Sequence, residues 1–173
     1  VISMLPLLQG IRVLDFTTIV LGPYATQTLG DLGADVVKIE PLQGDLFRTV
    51  RPGRSRSMGA GFMGFNRNKR SLAIDLKRPE SRAVLARLVS GADAIVHNMR
   101  PKAAEPLGLT YEQLARIKPD LVYAFDGWDG TDAYRIDPDI RRIPAGSTLI
   151  LDAAVGGCDA YGWSPESREP VTD

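Results

Sequence analysis

A single cysteine, Cys158, and a single histidine, His97, are all that 173 residues contain of either type. One thiol cannot build an intrachain disulfide framework, and it suits a reducing compartment. One histidine and one cysteine cannot build a zinc site rich in either, and no carboxylates fall at obvious ligand spacing, so no metal is expected. A Ser-His-Asp triad would have to use His97. That residue ends an expected strand, no G-x-S-x-G elbow is present, and a lone histidine is more often structural. Net charge is missing as well. Lysine plus arginine and aspartate plus glutamate number 21 each, so no global field draws nucleic acid or an anionic membrane. No apolar run reaches the roughly 20 residues that span a bilayer. The apolar start "VISMLPLL" is short, holds a proline and has no cationic lead, unlike a signal peptide. What remains is a chain with 44% apolar residues, long enough for one domain with a core. The expectation is a soluble cytoplasmic protein with no nucleic-acid, membrane or metal partner.

The apolar segments alternate with helical ones. "GIRVLDF" (10–16) and "DVVKIE" (35–40) read as buried strands. Between them Gly22-Pro23 breaks the chain, Pro23 suits a first helical position, and 24–31 forms a short helix capped near Gly33. This is one βαβ unit with a right-handed crossover. A glycine- and arginine-rich loop follows (41–64), then a third strand, "SLAIDL" (71–76). "RPESRAVLARLVSGAD" reads as a helix with Val84, Leu85, Leu88 and Val89 on one face, ended by Gly91. "DAIVHN" (93–98) and "LVYAF" (121–125) are strands four and five. Between them Thr110 and Gln113 have capping-box spacing, and Pro119 stops that helix. The fold class is α/β: a Rossmann-like, open, mostly parallel sheet with helices on both faces, forming part of a larger domain. It occupies residues 1–126. Residues 127–173 are richer in glycine, proline and aspartate and read as an irregular tail. Its abrupt end predicts an incomplete domain.

The charge balance hides an asymmetry. From Leu46 to Ile74 there is no acidic residue, yet Arg48, Arg51, Arg54, Arg56, Arg67, Lys69 and Arg70 all fall there. The stretch is either a solvated loop or an anion-binding one. In open α/β sheets ligands bind beyond the carboxyl ends of the strands. Those exits hold Thr17–Pro23, the basic loop, and His97–Pro101, an edge suited to phosphate. A dinucleotide is not the ligand expected, because the first turn has one glycine followed by proline rather than G-x-G-x-x-G. A nucleotide-dependent oxidoreductase is disfavoured for the same reason. No P-loop is present either.

"LQGIRVLDFTTIVLGPYATQTLGDLGADVVKIEP", "FNRNKRSLAIDLKRPES", "ADAIVHNMRP" and "LGLTYEQLARIKPDLVYA" occur in this order, over roughly residues 5–128. Together they resemble the N-terminal portion of the family III CoA-transferases, the group of formyl-CoA transferase, carnitine CoA-transferase and alpha-methylacyl-CoA racemase. The resemblance implies coenzyme A, as an acyl-CoA substrate, on a Rossmann-like domain, with a carboxylic acid as second substrate. It implies a homodimer of interlocked chains in the full-length family, and transfer through an aspartyl-CoA thioester. Carried over by position, it implies coenzyme contacts at Thr18, Ile19, Val20 and Leu21, at Ile74, Asp75, Leu76 and Lys77, and at Asn98, Met99 and Arg100. The cations of "NRNKR" and the upstream arginines would then compensate phosphates. Otherwise Asn66 and Asn68 satisfy turn backbone, Arg67 and Lys77 face solvent, and Ile74 and Leu76 are core.

The sequence also departs from the family pattern. Pro41 and Pro106 stand where many members carry basic residues, removing two phosphate contacts. The tail matches poorly after "LVYAFDGWD". Asp152 is the candidate nucleophile, with Glu169 a second by position; alternatively Asp152 caps a helix beginning at Ala153. The lone histidine lies too early for racemase chemistry. The leading expectation is a CoA-transferase, and the alternatives are a non-catalytic CoA-binding remnant or a racemase-like enzyme.

Overall fold

A computed structural model describes residues 6–125. The chain runs β1 (Arg12–Phe16), α1 (Leu21–Asp31), β2 (Asp35–Glu40), a short hairpin of β3 (Gly53–Ser55) and β4 (Met58–Gly59), and α2 (Ala60–Phe65). It continues through β5 (Lys69–Ala73), α3 (Ser81–Ser90), β6 (Ala94–His97), α4 (Pro101–Ala104), α5 (Tyr111–Ala115) and β7 (Val122–Phe125). Five strands form one sheet in the order β5-β2-β1-β6-β7, and all its pairings are parallel. The chain steps outward from β1 to β5 on one side and returns to β6 on the other. The strand order therefore reverses between β1 and β6, which makes their exits the switch point.

Successive side chains point to opposite faces, so each strand feeds two cores. Leu14, Phe16, Val37, Ile39 and Ile95 pack with Leu85 and Val89 of α3 and Leu114 of α5. Val13, Val36, Ala94 and Val96 pack with Leu29 of α1. Each fully buried Val, Leu, Ile or Phe side chain among these contributes about 1.5–3 kcal/mol. The α/β fold expected from the sequence is the one observed, with helices on both faces of the sheet. Among the described residues no helix is long and apolar enough to cross a membrane.

Several local expectations need correction. The third strand is 69–73 rather than 71–76. Asn68, at φ 59°, turns the chain, and the register Val36↔Lys69 to Glu40↔Ala73 then places Lys69 and Arg70 inside the ladder. Two adjacent cations hid that strand start. Helix α1 begins at Leu21, not 24. Pro23 is thus its third residue, where its missing N–H has no intrahelical acceptor to lose. Gly33, at φ 98°, takes the left-handed position past the helix end, as expected. Val84 points outward and is 41% exposed, while Leu85 and Val89 are buried. The interval 41–64 is not a plain loop, since it holds the hairpin and most of α2. The capping box is complete, with Thr110 Oγ1 accepting from Gln113 N–H and Gln113 Oε1 accepting from Thr110 N–H.

Candidate functional site

Thr17–Val20 leaves β1 at the switch point, and side chains from distant strands hold its backbone. Asp15 Oδ1 accepts from Thr17 N–H at 2.9 Å and from Thr17 Oγ1 at 2.5 Å. Lys38 Nζ donates to the Thr17 carbonyl at 2.8 Å. Asn98, just past β6, accepts from Thr18 N–H and donates to the Thr18 carbonyl, both at 3.0 Å. Asp45 Oδ1 accepts from Ile19 N–H at 3.4 Å. Ile19 sits at φ 74°, a region that β-branched residues avoid. Strain of this kind persists only where the surroundings over-determine it, and it concentrates at working sites. Ile19 and Leu21 are exposed at 41% and 50%. No side chain caps the start of α1 at Val20, so its first amides lie uncapped at the positive end of the helix, beside the same loop. Gly22 is required beneath this turn, because a Cβ there would lie 2.4 Å from Thr17 Cβ.

A cluster of buried charges underlies the loop. Register pairs Asp15 with Lys38, and both point to the α1 side. Lys69 reaches across from β5 to Asp15 Oδ2 at 2.9 Å, with the Pro23 carbonyl and Thr26 Oγ1 each at 2.8 Å and Asn66 Oδ1 at 2.9 Å. Burial pulls its ammonium down to about 8, opposed by the attraction of Asp15. Lys38 pairs with Asp45 at 3.0 Å, and both side chains are essentially unexposed. Glu40 receives Arg48 through contacts of 2.7–3.2 Å and the Ser71 hydroxyl at 3.0 Å.

These contacts change the reading of the basic stretch. Arg67 pairs with Asp31, Lys69 with Asp15, Arg70 with Asp35, and Arg48 with Glu40. Arg51 donates to the Gly53 and Ser55 carbonyls, and Arg56 is exposed. Most of the run neutralises carboxylates brought in from β1, α1 and β2, rather than lining an open anion site. At Asp31, burial raises the carboxyl, but bonds from Arg67, Gln27 and Asn68 outweigh it and hold it below the usual range.

Of the residues carried over by resemblance, Thr18–Leu21 and Asn98 converge directly. Met99 follows Asn98, and its N–H donates to His97 Nδ1 at 3.2 Å. Arg100 is exposed at the start of α4. Ile74 and Leu76 pack against the core under α3. They lie beyond the end of β5 rather than within a strand, although Ile74 N–H still bonds the Glu40 carbonyl at 2.8 Å. Asp75 accepts from Lys77 N–H at 3.1 Å, and the Lys77 side chain is exposed. Asp152 and Glu169 lie outside the described residues. Sequence reasoning missed Asp15, Lys38 and Asp45, and it read Lys69 as a cation for phosphate where the structure pairs it with Asp15. A signal was present for two of them: Asp15 and Lys38 are charges inside strands that otherwise read as continuously apolar, a pattern that demands a buried partner.

His97 lies in the interior, on the face of the sheet away from α1. Its ring is buried and meets the Tyr123 hydroxyl through Nε2. Because Nδ1 accepts from Met99 N–H, the proton belongs on Nε2, and Tyr123 passes its own to the Leu109 carbonyl at 3.1 Å. Burial pushes the imidazole down to about 4, so it is neutral.

An all-parallel sheet whose strand order reverses beside a tightly held loop defines an open α/β domain. The chain belongs to CoA-transferase family III, whose sequence profile matches residues 8–170. The match runs through the tail, well past residue 128 where the resemblance of the motifs ends. The chain is 39% identical over 171 residues to succinyl-CoA:glutarate CoA-transferase of Mus musculus, covering 98% of this chain and 37% of that protein. It is 42% identical over 121 residues to succinyl-CoA:mesaconate CoA-transferase of Haloarcula hispanica, covering 68% and 31% respectively. A crystal structure of a CAIB/BAIF family protein from Brucella suis superposes with a TM-score of 0.64 at 38% identity, covering 68% of this chain and 32% of that one. This chain thus spans about a third of the length of the curated relatives it matches.

Proposed function

We propose that the β1–β6 switch point binds coenzyme A, and that the chain serves the transfer of CoA between an acyl-CoA and a carboxylic acid. The observation that carries this reading is the clasp between Thr18 and Asn98. It joins the first and third stretches assigned to the coenzyme by resemblance, from positions 80 residues apart. The uncapped start of α1 offers backbone donors, while Arg100 and Lys77, exposed at this end of the sheet, supply cations for phosphate. Succinyl-CoA as donor and a dicarboxylic acid as acceptor is the substrate pair that the named relatives support.

In this reading an aspartate carboxylate attacks the acyl thioester and CoA thiolate leaves, giving a mixed anhydride. The thiolate then attacks the aspartyl carbonyl and releases the first acid, leaving an aspartyl-CoA thioester. The acceptor acid attacks that thioester, and the sequence reverses. Asp152 is the residue assigned to this role. The reading includes a homodimer and cytoplasmic placement, which rest on the family resemblance and the single cysteine. A non-catalytic CoA-binding chain is the second reading. Racemase-like chemistry has less support, because both ring nitrogens of His97 are already engaged.

Calorimetric titration of coenzyme A into this chain, at low and high salt, tests the site. Binding that weakens with salt supports it, and no binding by a cooperatively folded chain overturns it. If transferase activity is measurable, Asp152→Ala abolishes it under the first reading; unchanged activity clears that residue.

A further inference from the structure

We infer that Lys38 and Asp45 are positioning residues for the coenzyme loop, fixing Thr17–Ile19 in its left-handed turn. The inference rests on the proposed coenzyme site. The two side chains form a buried ion pair at 3.0 Å with exposures of 1% and 0%. Such a pair rarely adds stability over an apolar replacement of similar volume, because desolvation offsets attraction. Beyond the pair itself, each side chain bonds the loop backbone once. Lys38 Nζ holds the Thr17 carbonyl at 2.8 Å. Asp45 Oδ1 holds Ile19 N–H at 3.4 Å and Phe47 N–H at 2.9 Å.

Asp45 therefore brackets two segments, capping the helical turn at Leu46–Thr49 while restraining Ile19. The restraint falls on the residue with the least favourable backbone angle, φ 74°. Without it, Ile19 relaxes to an extended conformation and moves the exposed edge of Ile19 and Leu21. A ligand that needs the turn then binds only the fraction of molecules retaining it.

The experiment compares the parent chain with Lys38→Met/Asp45→Ala, which removes both charges and leaves neither unpaired. Leu85→Ala, in the core on the opposite face, serves as a destabilised reference. Coenzyme A affinity is read by calorimetry. Amide exchange is read at Ile19, with Val13 in the middle of β1 as an internal standard. In the double variant, coenzyme A binds about tenfold more weakly, as expected if the turn's population falls to about a tenth, and Ile19 loses most of its exchange protection. Val13 stays protected. Leu85→Ala lowers Tm without changing either loop readout.

Affinity within about twofold of parent in a folded double variant overturns the inference, as does unchanged Ile19 exchange. If the double variant does not fold, Lys38→Met/Asp45→Leu carries the same readouts, since it fills the pair's volume with apolar atoms while removing the acceptor that Ile19 N–H uses. If the parent binds no coenzyme A, the coenzyme reading fails, and Ile19 exchange alone still decides whether the bracket holds the loop.

Discussion

On the α3–α5 side of the sheet, Leu14, Phe16, Ile39 and Ile95 form a continuous apolar layer, with a neutral His97 at its end. On the α1 side, the same strands begin apolar at Val13 and Val36 and then turn charged at Asp15, Lys38 and Glu40. One backbone thus supports two interiors. The apolar face is stabilised by contact area and tolerates a change at the cost of a cavity. The charged half-face gains little net stability from its pairs, yet depends on every partner, because a single deletion strands a charge. It lies where the strands deliver the loop, so its high sensitivity coincides with the candidate site.

The sharpest way to break this comparison is Lys69→Met. It leaves Asp15 buried without its cation, and the expected loss is about 3–5 kcal/mol in chemical denaturation. Lys69→Met/Asp15→Asn recovers much of that loss; no recovery would mean packing rather than charge governs this half-face. The pH dependence of Lys69 has a defined sign. Its folded value, about 8, lies below 10.5. Between these limits the unfolded chain holds more protons, and stability rises with pH.

The opposite face is tested through His97. Its folded value, about 4, lies below the ordinary 6.5, so its contribution is complete above pH 6.5 and is lost as pH falls toward 4. The full loss is about 3 kcal/mol, from roughly 1.4 kcal/mol per unit. Unfolding followed across that window shows the slope, and His97→Gln removes it.

The smallest effect belongs to the rim. Arg70 is 64% exposed in its pair with Asp35, and Arg70→Ala costs under about 1 kcal/mol, vanishing at high salt. A larger loss would show that the distinction between buried and exposed pairs is wrong for this sheet.

The five sheet strands, the α1 and α3 helices and the capping box were legible because periodicity and turn chemistry are local, although the starts of the third strand and of α1 were misplaced and the β3–β4 hairpin was read as loop. "NRNKR" was misleading for a physical reason. Cations crowded in sequence look like an open anion site, and the acids that neutralise them, Asp15, Asp31 and Asp35, lie 35 to 54 residues away. Only the strand order brings them together. Thr18 and Asn98 were identified through resemblance, while their clasp needed the β1–β6 pairing. The charges at Asp15 and Lys38 were visible, but their partnership follows from register, which periodicity within one strand does not fix.

The bracketed loop imposes an order of assembly on the growing chain. Residues 17–21 leave the ribosome early, yet the restraints on them come from Lys38, Asp45 and finally Asn98, 80 residues after Thr18. A nascent chain that stops short of β6 contains the whole loop sequence and no finished loop. The finished loop arrives with Asn98, when about three quarters of the described residues have been made and the last inner strand docks beside the first.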